Sequence, residues 1–528
     1  MLNKIKKNYY FYYFLLIYVL VGSYLSISNG ITSDEYHEQL NWEVNLRSIF
    51  SFFKNGTYEE LLNYGDKYHG IGFHYISQPF QILFYHTVSK INNLSDYGGF
   101  LVSKHLPVFL LFSISGIFFY LLSKKITQNE MFSSMSSLLY LFYPYLFGHA
   151  QFNPKDIPFL SLWLINTYMS LTIIENIFYS NKIKIKKIII FSLLTAYLIS
   201  IRISGLIIFV QYFVGLIILY NIKKTELKYF IKKIWKIALI FLASLSIFIY
   251  ILNPIFWHNP LEILNSVQWM GKYFNDICTL TYGNCMRSLN LPSSYYFIWL
   301  FFKLPIIVIL GICLFPFVEK KIFSDDLRTF YYLTILISFF LIIFIFIFKN
   351  VAIYDELRHV MFLVPMIFLI GLLNLFYFNK TIFKNLTSVV ILFFLFENFY
   401  LNPYQYTWLN SFAKFTNIEK NFEIDYWGVS NKSLNKKIIE YSEKNFTDKN
   451  ICVYGDIYAK EFLIKNNFKC FKTYSQLDEA KVRPLFAYQN LRNVKRSNPK
   501  DCKLIWNETY NYSFYKKKIS VGKLWYCN

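Results

Sequence analysis

The sequence predicts an α-helical polytopic membrane protein of about eleven transmembrane helices, followed by a small C-terminal α/β domain outside the cytoplasm. Three observations carry that expectation. The 528 residues are 55% hydrophobic and 21% aromatic but only 16% charged, well below the roughly 25% of an ordinary soluble domain, and mean hydropathy is +0.32. Uncharged runs reach the length a hydrocarbon core demands, as in residues 330–348 (FYYLTILISFFLIIFIFIF). Beyond residue 401 the composition shifts sharply towards Lys, Asn and Asp.

The formal net charge of +22 has the size of a nucleic-acid footprint but not its pattern. Lysines are scattered through loops beside abundant Ile, Asn, Phe and Tyr. No nucleic-acid partner is expected, and attraction to phospholipid or phosphate is the better reading.

Along the chain, Lys4, Lys6 and Lys7 precede a first apolar run at 9–28. The run is long, and Ser26-Ile27-Ser28-Asn29-Gly30 makes a poor cleavage site, so it reads as a retained signal-anchor. Further spans are expected near 105–123, 131–149, 157–178, 188–201, 203–220, 234–254, 294–317, 329–348, 360–378 and 385–401. With the N-terminus in the cytoplasm, alternation puts the basic stretches 124–125, 182–187, 223–236, 320–328 and 380–384 on the cytoplasmic side, as the positive-inside rule requires. Segment 70–88 is apolar but carries His74, Gln78, Pro79 and His86. Counted as a span it would invert every later loop, so it is read as an interfacial or re-entrant helix.

This topology divides the chain into a membrane domain, 1–401, with external loops 30–104 and 255–293, and an external domain, 402–528. The expected location is the inner (plasma) membrane, multi-pass. In the tail, helix-like stretches (432–444 and 457–465) alternate with strand-like ones (451–454, 502–506 and 519–526). Six of the seven cysteines fall in external segments: Cys278, Cys285, Cys452, Cys470, Cys502 and Cys527. Cys278–Cys285 is the pairing a short loop favours, while the tail's connectivity stays open and free thiols remain an alternative. C-x6-C is not a usual zinc spacing.

The polar residues at external span ends are where chemistry could sit. Ser33-Asp34-Glu35-Tyr36-His37 follows the first span. One reading is a helix N-cap; the other is a general base, Asp34, with Glu35 or His37 orienting it. Asn153-Pro154-Lys155-Asp156-Ile157-Pro158 separates two spans and is good turn material, yet a turn needs neither its Lys nor its Asp. Lys104-His105, Arg202 and Arg358-His359 are basic groups at external span ends. Snorkelling anchors would explain them, but Arg202 interrupts an apolar hairpin (SIRISG), where an ionisable group usually faces a cavity or a partner such as phosphate.

Together these residues resemble the GT-C superfamily of glycosyltransferases, in particular bacterial family-39-like enzymes related to protein O-mannosyltransferases. The likeness rests on Asp34-Glu35, the Asn153–Phe159 turn, Arg202-Ile203-Ser204-Gly205, and Arg358-His359 followed by Pro365. Pro403-Tyr404-Gln405-Tyr406 and the stretch Phe422 to Gly428 are similar too, so it covers roughly residues 1–430. The resemblance implies transfer of a sugar from a polyprenyl-phosphate-linked donor to a glycan, lipid or protein acceptor outside the cytoplasm. Asp34 would be the base of an inverting displacement, with Glu35 and Asp156 orienting the acceptor or the base. Lys155, Arg202 and Arg358, with His37 and His359 nearby, would bind substrate and its phosphate. No Asp-x-Asp occurs, so no cofactor is implied, and a divalent metal is possible rather than favoured. A transporter or lipid flippase would need an internal repeat, which is not found; a polysaccharide polymerase or ligase would share the lipid-linked substrate.

Overall fold

In the computed structural model, residues 9–179, 183–224, 226–272, 276–446, 451–456, 460–480, 483–492, 498–512 and 517–528 are described. Lys4, Lys6, Lys7 and Lys182, and the start of the expected helix 457–465, lie outside them. Among the described residues, seven helices are long and apolar enough to cross a membrane: Asp96–Thr127, Asp156–Tyr179, Ile203–Lys223, Leu227–Leu252, Asp326–Phe348, Arg358–Phe378 and Lys380–Leu401. Ser294–Lys303 and Ile306–Cys313 pass together as an eighth but are bent by 116°. By length and composition, the described helices thus supply seven or eight of the eleven spans expected.

The shortfall has a physical cause. The expected span 294–317 is interrupted at Pro305, and Leu304 before it is extended (φ −70°, ψ 139°), as steric clash with a following proline ring dictates. The expected span 131–149 breaks in the same way. Tyr143 precedes Pro144 and leaves the helical region (φ −59°, ψ 113°), dividing Glu130–Phe142 from Pro144–Ala150. Tyr9–Ile27 and Ile185–Ile201 are helical as expected but short.

The ambiguous segment forms the helix His74–Asn92, with Pro79 inside it. Its polar side (His74, Ser77, Gln81) is buried, while Ile82 and Leu83 are exposed. The helix thus turns its polar groups into the protein and apolar ones outward.

Helix Arg358–Phe378 runs through the middle of the bundle, 94% of its apolar window buried, whereas Leu227–Leu252 lies outermost at 6%. A Cβ on Gly311 would stand 2.0 Å from the carbonyl oxygen of Gly371. The two backbones therefore touch, which small residues permit in apolar surroundings.

The two ends of the bundle differ. At one end, Lys125 pairs with Glu175 (3.1 Å), Tyr331 donates to Glu175 (2.6 Å) and Lys321 donates to the Tyr377 carbonyl (3.2 Å). At the other, loops 30–104 and 255–293 meet residues 349–357 and the tail. Leu280 N–H donates to Glu423 (2.7 Å), Asp355 N–H to Thr279 Oγ1 (2.9 Å), and Lys432 Nζ to Asn92 Oδ1 (2.8 Å).

The hairpin β1 (Cys278–Thr281) and β2 (Asn284–Arg287) is closed by a Cys278–Cys285 disulfide. In the tail, β3 (Cys452–Gly455), β4 (Phe471–Thr473), β5 (Leu485–Asn490), β6 (Cys502–Tyr512) and β7 (Lys517–Cys527) form one sheet of order β4-β3-β5-β7-β6. β3 is parallel to β4 and β5, and β7 is antiparallel to β5 and β6. Helix Asn431–Asn445 packs on it through Leu434 and Ile438. Cys452–Cys470 and Cys502–Cys527 are disulfides. Residues 404–429 share the core of the helical bundle instead: Trp408 Nε1 donates to Glu397 (2.9 Å).

Candidate active site

Local structure sets each side chain in turn. Asp34 occupies the N-cap position of helix Glu35–Asn55, but its side chain makes no capping hydrogen bond. The N-cap explanation for this residue type therefore fails. Asn153 does the capping at helix Asp156–Tyr179: its Oδ1 accepts from the N–H groups of Lys155 (3.2 Å) and Asp156 (2.9 Å), and its Nδ2 donates to Asp156 Oδ2 (2.9 Å). Arg202 is extended (φ −147°, ψ 131°) between Ile185–Ile201 and the 3-10 turn Ile203–Ile207. Arg358 opens the 3-10 turn Arg358–Leu363.

These segments converge. Arg358 Nε donates to Asp156 Oδ2 (2.9 Å), Nη1 to Asp355 Oδ2 (3.3 Å), and Nη2 to Asp34 Oδ2. Its guanidinium lies 4.4 Å from the Trp427 ring centroid, a cation–π contact that covers it from the tail side. Arg202 pairs with the other Asp156 oxygen. Arg492, from the tail, bridges Asp355 and Glu423 (3.0 Å to the latter). Asp355 and Glu356 adopt φ of 56° and 65°, a left-handed conformation that costs a non-glycine residue about 1–2 kcal/mol. Strain of this kind persists where surroundings over-determine the backbone, commonly at functional sites.

Within this cluster access is uneven. The Asp156, Asp355 and Arg358 side chains are 2%, 3% and 9% exposed, while Asp34 is 37% exposed. Asp34 is the carboxylate of the three that a solute can reach.

A second set borders it. Lys155 Nζ donates to Glu38 Oε2 (3.1 Å) and to the Gly70 carbonyl (2.6 Å), and His69 Nε2 lies 2.8 Å from Glu38 Oε1. Burial opposes ionisation of Glu38, but Lys155 and His69 outweigh it and hold the carboxyl well below the usual range. On the tail side burial wins. It lifts Asp355 above the ordinary carboxylate range and pushes Glu423 up to about 8, against the pull of Arg492.

Of the residues expected from sequence, Asp34, Asp156, Arg202 and Arg358 come together and Lys155 lies beside them. Glu35 does not. It is buried, accepts from Thr32 N–H (2.8 Å) and Thr32 Oγ1 (2.7 Å), and meets His105 Nε2 at 2.9 Å. Its place is the brace between the chain leaving the first helix and the helix at His105. His37 faces Asp66 at 3.4 Å and is 44% exposed. His359 is next to Arg358 in the chain, with Nδ1 3.2 Å from the Tyr354 carbonyl. Sequence reading missed Glu38, Asp355, Trp427 and Arg492. Glu38 stands one helical turn after Asp34 and Asp355 three residues before Arg358, spacings that could have flagged them; Arg492 carried no local signal. Among the described residues no three His, Cys, Asp or Glu side chains are grouped to hold a metal ion.

Fold and site define a helical protein built for a bilayer, with a charged cluster at the end where loops and tail meet. In comparisons with solved structures the chain is similar to the crystal structure of ArnT from Cupriavidus metallidurans in the apo state, with a TM-score of 0.45 and 10% identity over 97% of both chains. No family model matches the sequence, and no curated protein matches it either.

Proposed function

We propose that this chain is a membrane glycosyltransferase that moves a sugar from a polyprenyl-phosphate-linked donor to an acceptor outside the cytoplasm, with Asp34 as general base. The observation that carries the reading is the reachable Asp34 carboxylate held by Arg358 against a buried Asp156, in a cluster drawn from four separated chain segments. In the reaction an acceptor hydroxyl oxygen attacks the anomeric carbon and the bond from that carbon to phosphate oxygen breaks. The hydroxyl proton passes to Asp34, polyprenyl phosphate departs, and the configuration inverts. A phosphate leaving group needs no strong acid, so one base and a cation for the phosphate suffice.

Roles follow from what each side chain already holds. Arg358 spends its nitrogens on carboxylates and positions Asp34 rather than binding phosphate. Lys155 is taken up by Glu38 and Gly70. Among the described residues Arg202 pairs with Asp156, and its remaining guanidinium nitrogens take the donor phosphate. Residues 1–401 are the catalytic membrane domain, and 402–528 the extracytoplasmic one. Cells lacking the protein test the reading: a polyprenyl-linked sugar should accumulate in their lipid extract. An unchanged polyprenyl-linked pool contradicts it.

A further inference from the structure

Against Ser33, the residue before Asp34, and the tail sheet lies a cavity of about 290 Å³ that the transfer chemistry does not yet use. Its size is just below the roughly 300–1,000 Å³ typical of pockets for drug-sized ligands, enough for a single small ring. It sits where topology opens a crevice. From β3 the chain passes to β4 on one side, then returns beyond β3 to β5 on the other, and all three strands are parallel. Connections that leave neighbouring strands in opposite directions part at the strands' carboxyl ends, and ligands of open α/β sheets occupy that gap. Gly455 ends β3, Thr473 ends β4 and Asn490 ends β5, and all three line this cavity.

The chemistry of the wall narrows the ligand. Among the described residues no aliphatic side chain lines it, and hydroxyls and amides dominate. A lipid chain or an aliphatic peptide side chain would find no aliphatic partner among those residues. Arg492 is the one cation among the described lining residues, and it is already paired with Asp355 and Glu423, while Asp425 and Asp456 line the same space. An anion is therefore disfavoured. Tyr474 and Tyr488 add aromatic surface. Gln489 is 3% exposed, and its Nε2 has no hydrogen-bond partner among the described residues. A buried amide left open is costly, and a ligand oxygen is one way to complete it. Ser33 lies on the cavity wall and Asp34 follows it in the chain.

We infer that this cavity is the acceptor subsite: it holds a sugar ring of a neutral saccharide and turns one hydroxyl towards Asp34. The inference rests on the transferase reading of Asp34, and the experiment separates the two. Full-length protein in lipid nanodiscs is applied to an array of neutral hexose and N-acetylhexosamine oligosaccharides, with acidic oligosaccharides and peptides alongside. Wild-type protein should be retained on at least one neutral saccharide. Gln489→Leu and Ser475→Trp should each lower that retention at least tenfold. Ser475 is exposed, so its substitution fills the cavity without disturbing the core, and Gln489→Leu should melt no lower than wild type. If retention falls in both variants while Asp34→Asn protein still transfers sugar at the wild-type rate, the subsite stands and the Asp34 reading falls. Retention only on peptides or acidic saccharides, no retention at all, or retention unchanged in both variants overturns the subsite.

Discussion

Each guanidinium nitrogen of Arg358 meets a different carboxylate, so the residue fixes three acidic side chains at once. Lysine keeps the charge but has a single donor atom and cannot reproduce a planar fork. Arg358→Lys should therefore lower the transfer rate by about 10- to 100-fold, the order expected when a base loses its alignment, with apparent donor affinity little changed. Arg202, which pairs with one oxygen of Asp156, should behave in the opposite way: Arg202→Lys should raise the apparent KM for the lipid-linked donor. Steady-state kinetics of the two purified variants separate these outcomes. A KM effect from Arg358, or none from Arg202, would reverse the roles given them.

At the scale of elements, Glu38 joins helix Glu35–Asn55 to the turn before Asp156–Tyr179, through Lys155, and to the loop at His69. Its folded-state carboxyl lies below the usual range, whereas in the unfolded chain it titrates near about 4.3. A depressed acid stabilises the fold above the unfolded value and loses that contribution as pH falls from there through the lower folded value. Thermal melts in detergent should show Glu38→Gln well below wild type at pH 7, with the gap closing below about pH 4; a gap constant with pH would contradict the latch. The same elements show what a sequence can reveal. The Asn153 turn was readable because Asn-Pro followed by Asp specifies a cap and places a carboxylate at a helix start. The breaks before Pro144 and Pro305 were equally encoded, but hydropathy averaged over a window hides a bend. β5, LFAYQN, is buried at nearly every position, so it lacks the alternation that marks a strand. Arg492 reaches Asp355 across 137 positions, and only tertiary structure makes that pairing.

On the scale of the whole molecule, loops 30–104 and 255–293 and the tail gather at one end, and the basic turns around Lys125 and Lys321 gather at the other. The positive-inside reading of the lysines puts the first end outside, and a reporter tests that expectation. A reporter active only outside the cytoplasm should be active when fused after Asn410 and silent after Lys125; the reverse would invert the topology. On the proposed transferase reading, a lipid-linked donor arrives from the bilayer and an acceptor from the sheet side. The direct measurement is sugar transfer by purified Asp34→Asn protein supplied with the lipid-linked donor that accumulates in deleted cells. Asparagine matches aspartate in size and is as good at a helix start, but it cannot take a proton. The account predicts a loss on the order of 100-fold or more with donor binding retained, and at most slight activity in Asp34→Glu. Wild-type transfer by Asp34→Asn would contradict it.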